Sequence, residues 1–152
     1  MSIAVIDQES VAKRGAFTFE DLPLGTRFTQ QYAATEEVYR RFLDLFGDVS
    51  PLHVSDEVAV SCGFSRRLVH GATLNGFISN FVGMNFPGRR SLELGVDIEY
   101  VQPTYIGDVL LLEATVKERL EARCVVVLKF RFTRGDTLIA RGRITVMMCD
   151  VP

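Results

Sequence analysis

The sequence predicts an α+β fold in which a long, curved antiparallel sheet wraps around one buried helix. Two observations support this prediction. Residues 71–88 contain no charged side chain, and four segments with strand-like alternation follow them. A helix that is apolar on most of its circumference has to be enclosed by other elements. A run of antiparallel strands is an element that can enclose it.

The buried helix is expected at about residues 71–86, where apolar side chains cover most of a helical circumference. These side chains are Leu74, Phe77, Ile78, Phe81, Val82 and Met84. The longest uncharged run, residues 68–88, is interrupted by His70, three asparagines and several glycines. Such interruptions favour a buried helix over a membrane span.

The strand after this helix alternates apolar and mostly polar residues, which is typical of a strand with one buried face. Its apolar residues are Leu92, Leu94, Val96, Ile98 and Tyr100. Three more strands are expected at residues 109–118, 123–133 and 138–148, and the turns between the last three are short enough for antiparallel hairpins. One buried helix followed by long antiparallel strands is the hot-dog architecture.

The N-terminal half is predicted to contain an arm at residues 1–16 and then the start of a single domain spanning residues 17–152. A first strand is expected at residues 27–33. A helix should follow from Thr35, which can cap it, to Gly47, which can end it. Its apolar side is formed by Tyr39, Phe42, Leu43 and Phe46, at helical spacing.

Composition limits the possible functions and the location. The chain has 152 residues and a net charge of −2, with basic residues interspersed, so nucleic acid is not an expected partner. The three cysteines have no metal-ligand spacing and are expected to be reduced and mostly buried. Asp7 and Glu9 do not fit a signal peptide, and the chain is therefore predicted to be cytoplasmic, without membrane association.

Asp48 and His53 are a carboxylate and an imidazole within one short segment, residues 47–53, which is predicted to be a loop stiffened by Pro51. This pair can move protons near neutral pH. The alternative is that Asp48 caps the next turn and His53 is a hydrogen-bonded loop residue. Taken alone, the two residues favour that structural alternative.

His70 and Gly71 stand where the uncharged helix should begin, and free backbone N–H groups point outward at such a position. Backbone donors at a helix start can form an oxyanion hole for a thioester carbonyl. Gly71 would then act through its N–H. His70 is interpreted as a residue that fixes the loop and not as a second base.

The two segments FGDVSPLH, residues 46–53, and LVHG, residues 68–71, resemble the MaoC-like dehydratases, or (R)-specific enoyl-CoA hydratases. The resemblance runs from about Phe17 to the C-terminus and includes the turn YIGD, residues 105–108. It implies a hot-dog fold and reversible, (R)-stereospecific hydration of a 2-enoyl thioester. It also implies that the substrate is carried by coenzyme A or an acyl carrier protein, with no metal or redox cofactor.

By this resemblance, Asp48 and His53 form the catalytic pair and the Gly71 N–H binds the thioester oxygen. Ser79 matches a position whose hydroxyl supports the site. Ser50 stands where the family has asparagine, and its hydroxyl is expected to hydrogen-bond within the loop. Arg66 and Arg67 also depart from the family pattern. They are interpreted as a solvated turn, the alternative being that one of them meets a phosphate or an acidic acyl group.

Two other functions remain open from the sequence. One is a hot-dog thioesterase, although such enzymes usually carry a carboxylate on or beside the central helix, and residues 68–88 contain neither Asp nor Glu. The other is a binding subunit that has lost activity, for which Ser50 is the only indication. A homodimer or a dimer of dimers is expected, because a wrapped sheet of this length leaves an edge and a helix flank exposed.

Overall fold

The computed structural model describes residues 14–149, and these form one five-stranded antiparallel sheet with helices on its concave side. The strands are β1 (Arg27–Ala33), β2 (Ser91–Tyr100), β3 (Val109–Leu120), β4 (Val125–Arg134) and β5 (Thr137–Met148). Their order across the sheet is β1-β3-β4-β5-β2. β3, β4 and β5 are neighbours in sequence and in space, while β1 and β2 are the edges.

Four helices accompany the sheet: α1 (Glu36–Phe46), α2 (Pro51–Val54), α3 (Asp56–Ser61) and α4 (Thr73–Met84). α4 is the central helix. Its residues Leu74, Ile78 and Phe81 are almost fully buried and pack in one core with the inward-facing side chains of β3, β4 and β5. The predicted α+β fold, with a sheet around one helix, is confirmed.

The sequence placed several element boundaries correctly. β1 has the predicted bounds, and α1 begins after Thr35, whose hydroxyl oxygen accepts a hydrogen bond from Val38 N at 3.1 Å. Gly47 ends α1 in the left-handed conformation, with φ of 66°, and donates from its N–H to Leu43 O. The central helix is shorter than predicted, because the segment 71–72 forms a turn and Asn85 is already the C-cap.

Two predicted burials are wrong in this chain. β2 has no buried residue, and Leu92 and Leu94 are 50% and 52% exposed, because β2 is an edge strand with a register shift between Glu93 and Gly95. α4 is also not enclosed on all sides. One flank of α4 is exposed and consists of Asn75, Gly76, Ser79, Asn80 and Met84.

Smaller predictions also need correction. Phe46 lies at the end of α1 and is 65% exposed, so it is not part of the buried side of that helix. Cys62 is exposed, and Cys124 and Cys149 are half-buried free thiols, so the cysteines are not mostly buried. β4 begins at Val125 and not at residue 123, because a short 3-10 turn, Glu121–Arg123, connects it to β3.

The predicted arm lies mostly outside the described residues, which begin at Arg14. The segment 14–16 that is described contacts the end of the central helix, where Gly15 N donates to Asn85 O at 2.7 Å. The division of the chain at residue 16 stays a prediction. Between residues 14 and 149, no helix has both the length and the apolar character needed to cross a membrane.

Candidate active site

Asp48 lies in the exposed segment between α1 and α2, where Gly47 turns the chain away from α1. The Asp48 side chain is 51% exposed. Its Oδ1 accepts a hydrogen bond from Ser50 N at 3.1 Å. This bond closes a local turn that holds Oδ1, while Oδ2 lies 3.8 Å from His70 Nε2.

His53 lies within a single helical turn and not in a loop, because residues 51–54 form α2 with Pro51 at its start. Proline is compatible with the first turn of a helix. The His53 Nδ1 lies 2.9 Å from Leu68 O. A carbonyl can only accept, so Nδ1 carries a proton and Nε2 is the nitrogen that can exchange protons.

His70 is 2% exposed and connects the two halves of the sequence motif. Its Nε2 lies 2.8 Å from the backbone oxygen of Asp48, to which it must donate. Its ring stacks on the His53 ring with centroids 3.9 Å apart, and Phe42 stacks near it at 4.6 Å. These contacts fix the relative positions of the Asp48 backbone and the His53 ring.

Gly71 lies in the turn that leads into α4, and its N–H has no hydrogen-bond acceptor among residues 14–149. A Cβ at this position would lie 3.2 Å from two ring carbons of Tyr100. Glycine therefore lets the Tyr100 ring lie directly against the backbone at residue 71. The binding of a thioester oxygen by this N–H stays a prediction.

An open cavity of about 340 Å³ adjoins His53 and Gly71. It is lined by His53, Phe64, Leu68, Val69, Gly71, Tyr100, Val101, Gln102, Pro103 and Thr104. Burial raises the pKa of the Tyr100 phenol above its ordinary value, so this ring is neutral at neutral pH. A mostly apolar cavity with an imidazole and a free backbone N–H suits an acyl thioester.

Ser50 and Ser79 are not members of the Asp48–His53–His70 cluster. The Ser50 hydroxyl makes no capping bond to α2, and the contact of Ser50 with Asp48 uses its backbone N–H. Ser79 lies on the exposed flank of α4, eight residues after Gly71, which is roughly 12 Å along a helix. The structure brings together Asp48, His53 and His70, and the supporting role of Ser79 stays a prediction.

Sequence reasoning did not single out three residues that hold or line the site. Tyr39 donates from its hydroxyl to His53 O at 2.7 Å, and Leu68 supplies the carbonyl for His53 Nδ1. Tyr100 lines the cavity at the end of β2. Tyr39 and Tyr100 were assigned only to apolar faces, and a backbone carbonyl such as that of Leu68 leaves no signature in a sequence.

The side chains of Asp48, His53 and His70 each present an atom within 4.8 Å of the other two, so the cluster has the composition of a metal site. His53 Nδ1 and His70 Nε2 are engaged with backbone carbonyls, which leaves one nitrogen of each ring unused by these bonds. The stacking of the rings favours another use, because the two imidazoles lie at 29° with centroids 3.9 Å apart and their ring planes do not converge on one point as ligands of one metal would.

Comparison with known proteins identifies relatives of this chain. Residues 23–132 match the model of the MaoC like domain. The chain is 30% identical over 123 residues to an (R)-specific enoyl-CoA hydratase of Aeromonas caviae, covering 80% of this chain and 90% of that protein. It is 27% identical over 130 residues to an (R)-specific enoyl-CoA hydratase of Rhodospirillum rubrum, covering 86% and 90%.

The fold has solved counterparts as well. The structure of the (R)-hydratase from Aeromonas caviae superposes with a TM-score of 0.78 at 27% identity, covering 85% of this chain and 98% of that one. Because the matches span most of the chain on both sides, they include the loop of Asp48 and the start of the central helix.

Proposed function

This chain belongs to the MaoC-like domain family, and from that premise we propose that it catalyses the reversible, (R)-specific hydration of a 2-enoyl thioester. The observation that carries the proposal is the Asp48–His53–His70 cluster beside a cavity that is lined by His53 and Gly71. The (R)-specific enoyl-CoA hydratases named above are similar to this chain over most of its length.

In the proposed reaction, Asp48 is the general base and His53 is the general acid. The Asp48 carboxylate removes a proton from water, and the water oxygen forms a bond to the β-carbon of the enoyl group. The electron pair of the C=C bond moves to the thioester oxygen, which the Gly71 N–H stabilises as an enolate. His53 Nε2–H then protonates the α-carbon, and proton transfer from Asp48 to His53 restores the pair.

The hydrogen bonds of His53 support this assignment. Donation from Nδ1 to Leu68 O leaves Nε2 as the nitrogen that exchanges the proton, in both the neutral and the charged ring. Tyr39 holds the backbone of the same residue. The reaction moves only a hydroxide and a proton, so we propose that it needs no metal or redox cofactor.

The thioesterase alternative is less well supported. Hot-dog thioesterases usually activate water with a carboxylate on or beside the central helix, and residues 68–88 contain neither Asp nor Glu. The test is incubation of pure protein with crotonyl-CoA. We expect loss of the enoyl absorbance without release of free thiol. Release of free thiol would show that the protein is a thioesterase. No change in either signal would indicate a binding subunit without enzymatic activity.

We also propose that the chain forms a homodimer through the β2 edge and the exposed flank of α4. Support comes from Leu92 and Leu94, which are half-exposed on β2. β2 pairs with β5 on one side, and its other side is an edge of the sheet that residues 14–149 form. Pairing two copies there would cover the edge and these side chains. Sedimentation at micromolar concentration should give about twice the 17.0 kDa of one chain. A species of one chain mass throughout would refute the dimer.

The carrier of the acyl group is proposed to be coenzyme A or an acyl carrier protein. Both present the thioester on a pantetheine arm, so the catalytic pair by itself does not distinguish the two carriers. The cytoplasmic location stays a prediction from the sequence.

A further inference from the structure

Arg66 is the starting point of a further inference, because it lies in the chain between two residues that line the proposed substrate cavity. Arg66 is exposed. Phe64, two positions before it, and Leu68, two positions after it, both line the cavity. Tyr105 follows another lining residue, Thr104. Arg66 and Tyr105 are therefore next in the chain to residues that form one wall of the cavity. These wall residues are Phe64, Leu68 and Thr104.

The guanidinium of Arg66 is held in place by two contacts. It lies over the Tyr105 ring at 5.1 Å from the centroid, and its Nη2 donates to Ile106 O at 3.1 Å. The Tyr105 ring is itself fixed, since its hydroxyl accepts a hydrogen bond from Ser65 N. An arginine with its rotamer already restricted loses less entropy when it binds a ligand.

Arg66 also differs from two nearby arginines, whose charges are paired with carboxylates. Arg67 forms an ion pair with Asp56, and Arg134, which lies near the same Tyr105 ring, is paired with Asp108. Arg66 has no carboxylate within salt-bridge distance among residues 14–149. Its positive charge and its remaining N–H donors are therefore available to an anion.

We propose that Arg66 binds a phosphate of the phosphopantetheine arm that carries the acyl group. This inference rests on the proposed hydratase function, because the phosphate would follow the thioester out of the same cavity. Arginine binds phosphate through a planar fork of donors, and a phosphate outside the cavity is the nearest anion that such a substrate offers. The phosphate can come from coenzyme A or from the prosthetic group of a carrier protein.

A purely structural role makes a different prediction. If Arg66 only joins segment 64–68 to the turn at residue 106, its loss would loosen the cavity for every substrate alike. Phosphate binding instead concerns part of the substrate far from the reacting carbons. It contributes equally to the ground state and the transition state, so its loss should raise KM and leave kcat nearly unchanged.

The experiment compares wild-type protein and R66Q on three crotonyl thioesters: pantetheine, 4′-phosphopantetheine and coenzyme A. For R66Q we expect KM to rise about tenfold on a phosphorylated substrate, as loss of a charged hydrogen bond predicts, with KM on crotonyl-pantetheine unchanged. A rise on both phosphorylated substrates assigns the 4′-phosphate. A rise on crotonyl-CoA alone would place the contact at the nucleotide end and would overturn the assignment to the phosphopantetheine arm.

R67Q is the matched control, because it removes the same charge from the adjacent residue, whose guanidinium is paired with Asp56. It should leave all three KM values within about twofold. The proposal is overturned if R66Q leaves every KM unchanged, or if R66Q raises all three equally.

Direct titration with free coenzyme A separates this proposal from the hydratase assignment, because binding can be measured without turnover. Wild-type protein should bind coenzyme A more tightly than R66Q does, by a factor similar to the change in KM. If no thioester is hydrated but this difference in affinity is found, the reaction assignment fails and the phosphate site stands. Equal affinity of the two proteins overturns the phosphate site.

Discussion

Two regions meet at the candidate active site, and they differ in burial. Residues 47–50, which carry Asp48, are exposed throughout, whereas Val69, His70 and Thr73 on the other side are at least 95% buried. In the proposed reaction, the exposed region presents the Asp48 carboxylate to water and substrate. The buried region positions that carboxylate, since His70 binds the Asp48 backbone and stacks on His53. Exposure thus distinguishes the proposed general base from the residue that holds it.

The largest expected effect concerns the reacting groups. Asp48→Asn and His53→Ala should each lower kcat on crotonyl-CoA by about 10²–10⁴-fold, because a general acid or base typically contributes that much. The measurement is the initial rate of loss of the enoyl absorbance. Both variants should fold, because Asp48 is exposed and His53 is only half-buried.

The double variant tests whether the two groups act as a unit. Its rate should be little lower than that of the poorer single variant. Independent, multiplicative losses would show that the two residues do not share one proton-transfer cycle. Near-native turnover in either single variant would rule out the pair.

A smaller effect is expected in the buried region, where His70 is a positioning residue. His70→Phe keeps a ring between Phe42 and His53 and removes the donor to Asp48 O. We expect kcat to fall about tenfold, because a small misplacement of a reacting group costs one to two orders of magnitude. Thermal stability should change little. The buried His70 Nδ1 has no partner among residues 14–149, so replacing it by carbon removes a desolvation cost.

His70→Gln is the complementary variant. It can restore the donor to the Asp48 carbonyl without restoring the stacked ring, and we expect part of the lost kcat to return. If His70→Phe keeps wild-type kcat and His70→Gln does not, stacking on His53 matters and the hydrogen bond does not. A parallel loss of activity and stability in both variants would indicate a merely structural residue.

The sequence was most informative where local chemistry decides the structure. Thr35 and Gly47 mark the ends of α1 by capping chemistry that any solvent-exposed helix uses. β2 shows the limit of this reasoning. Its alternation indicates one apolar face, but whether that face is buried depends on what lies beyond the edge of the sheet, and Leu92 and Leu94 are half-exposed in the single chain.

The site was predictable to a similar extent. The spacing of Asp48, His53 and His70 indicated a shared loop and helix start, and the structure brings these three side chains together. The tautomer of His53 depends on the carbonyl of Leu68, which is a matter of tertiary position and not of residue type. The role of Tyr100 against Gly71 depends likewise on how β2 lies beside α4.

The smallest expected effect belongs to Ser50, in the exposed region, and the structure alters the expectation from sequence. The bond that orients Asp48 comes from the Ser50 backbone N–H and not from its hydroxyl. Ser50→Ala should therefore leave kcat and KM on crotonyl-CoA within about twofold of wild type, since it keeps the N–H.

Ser50→Pro removes that N–H, and the native φ of −51° is one that proline can adopt. It should lower kcat by about three- to tenfold, the worth of one hydrogen bond of about 0.5–1.5 kcal/mol. If the alanine variant loses activity and the proline variant does not, the hydroxyl contacts the substrate or its water and the backbone bond is dispensable.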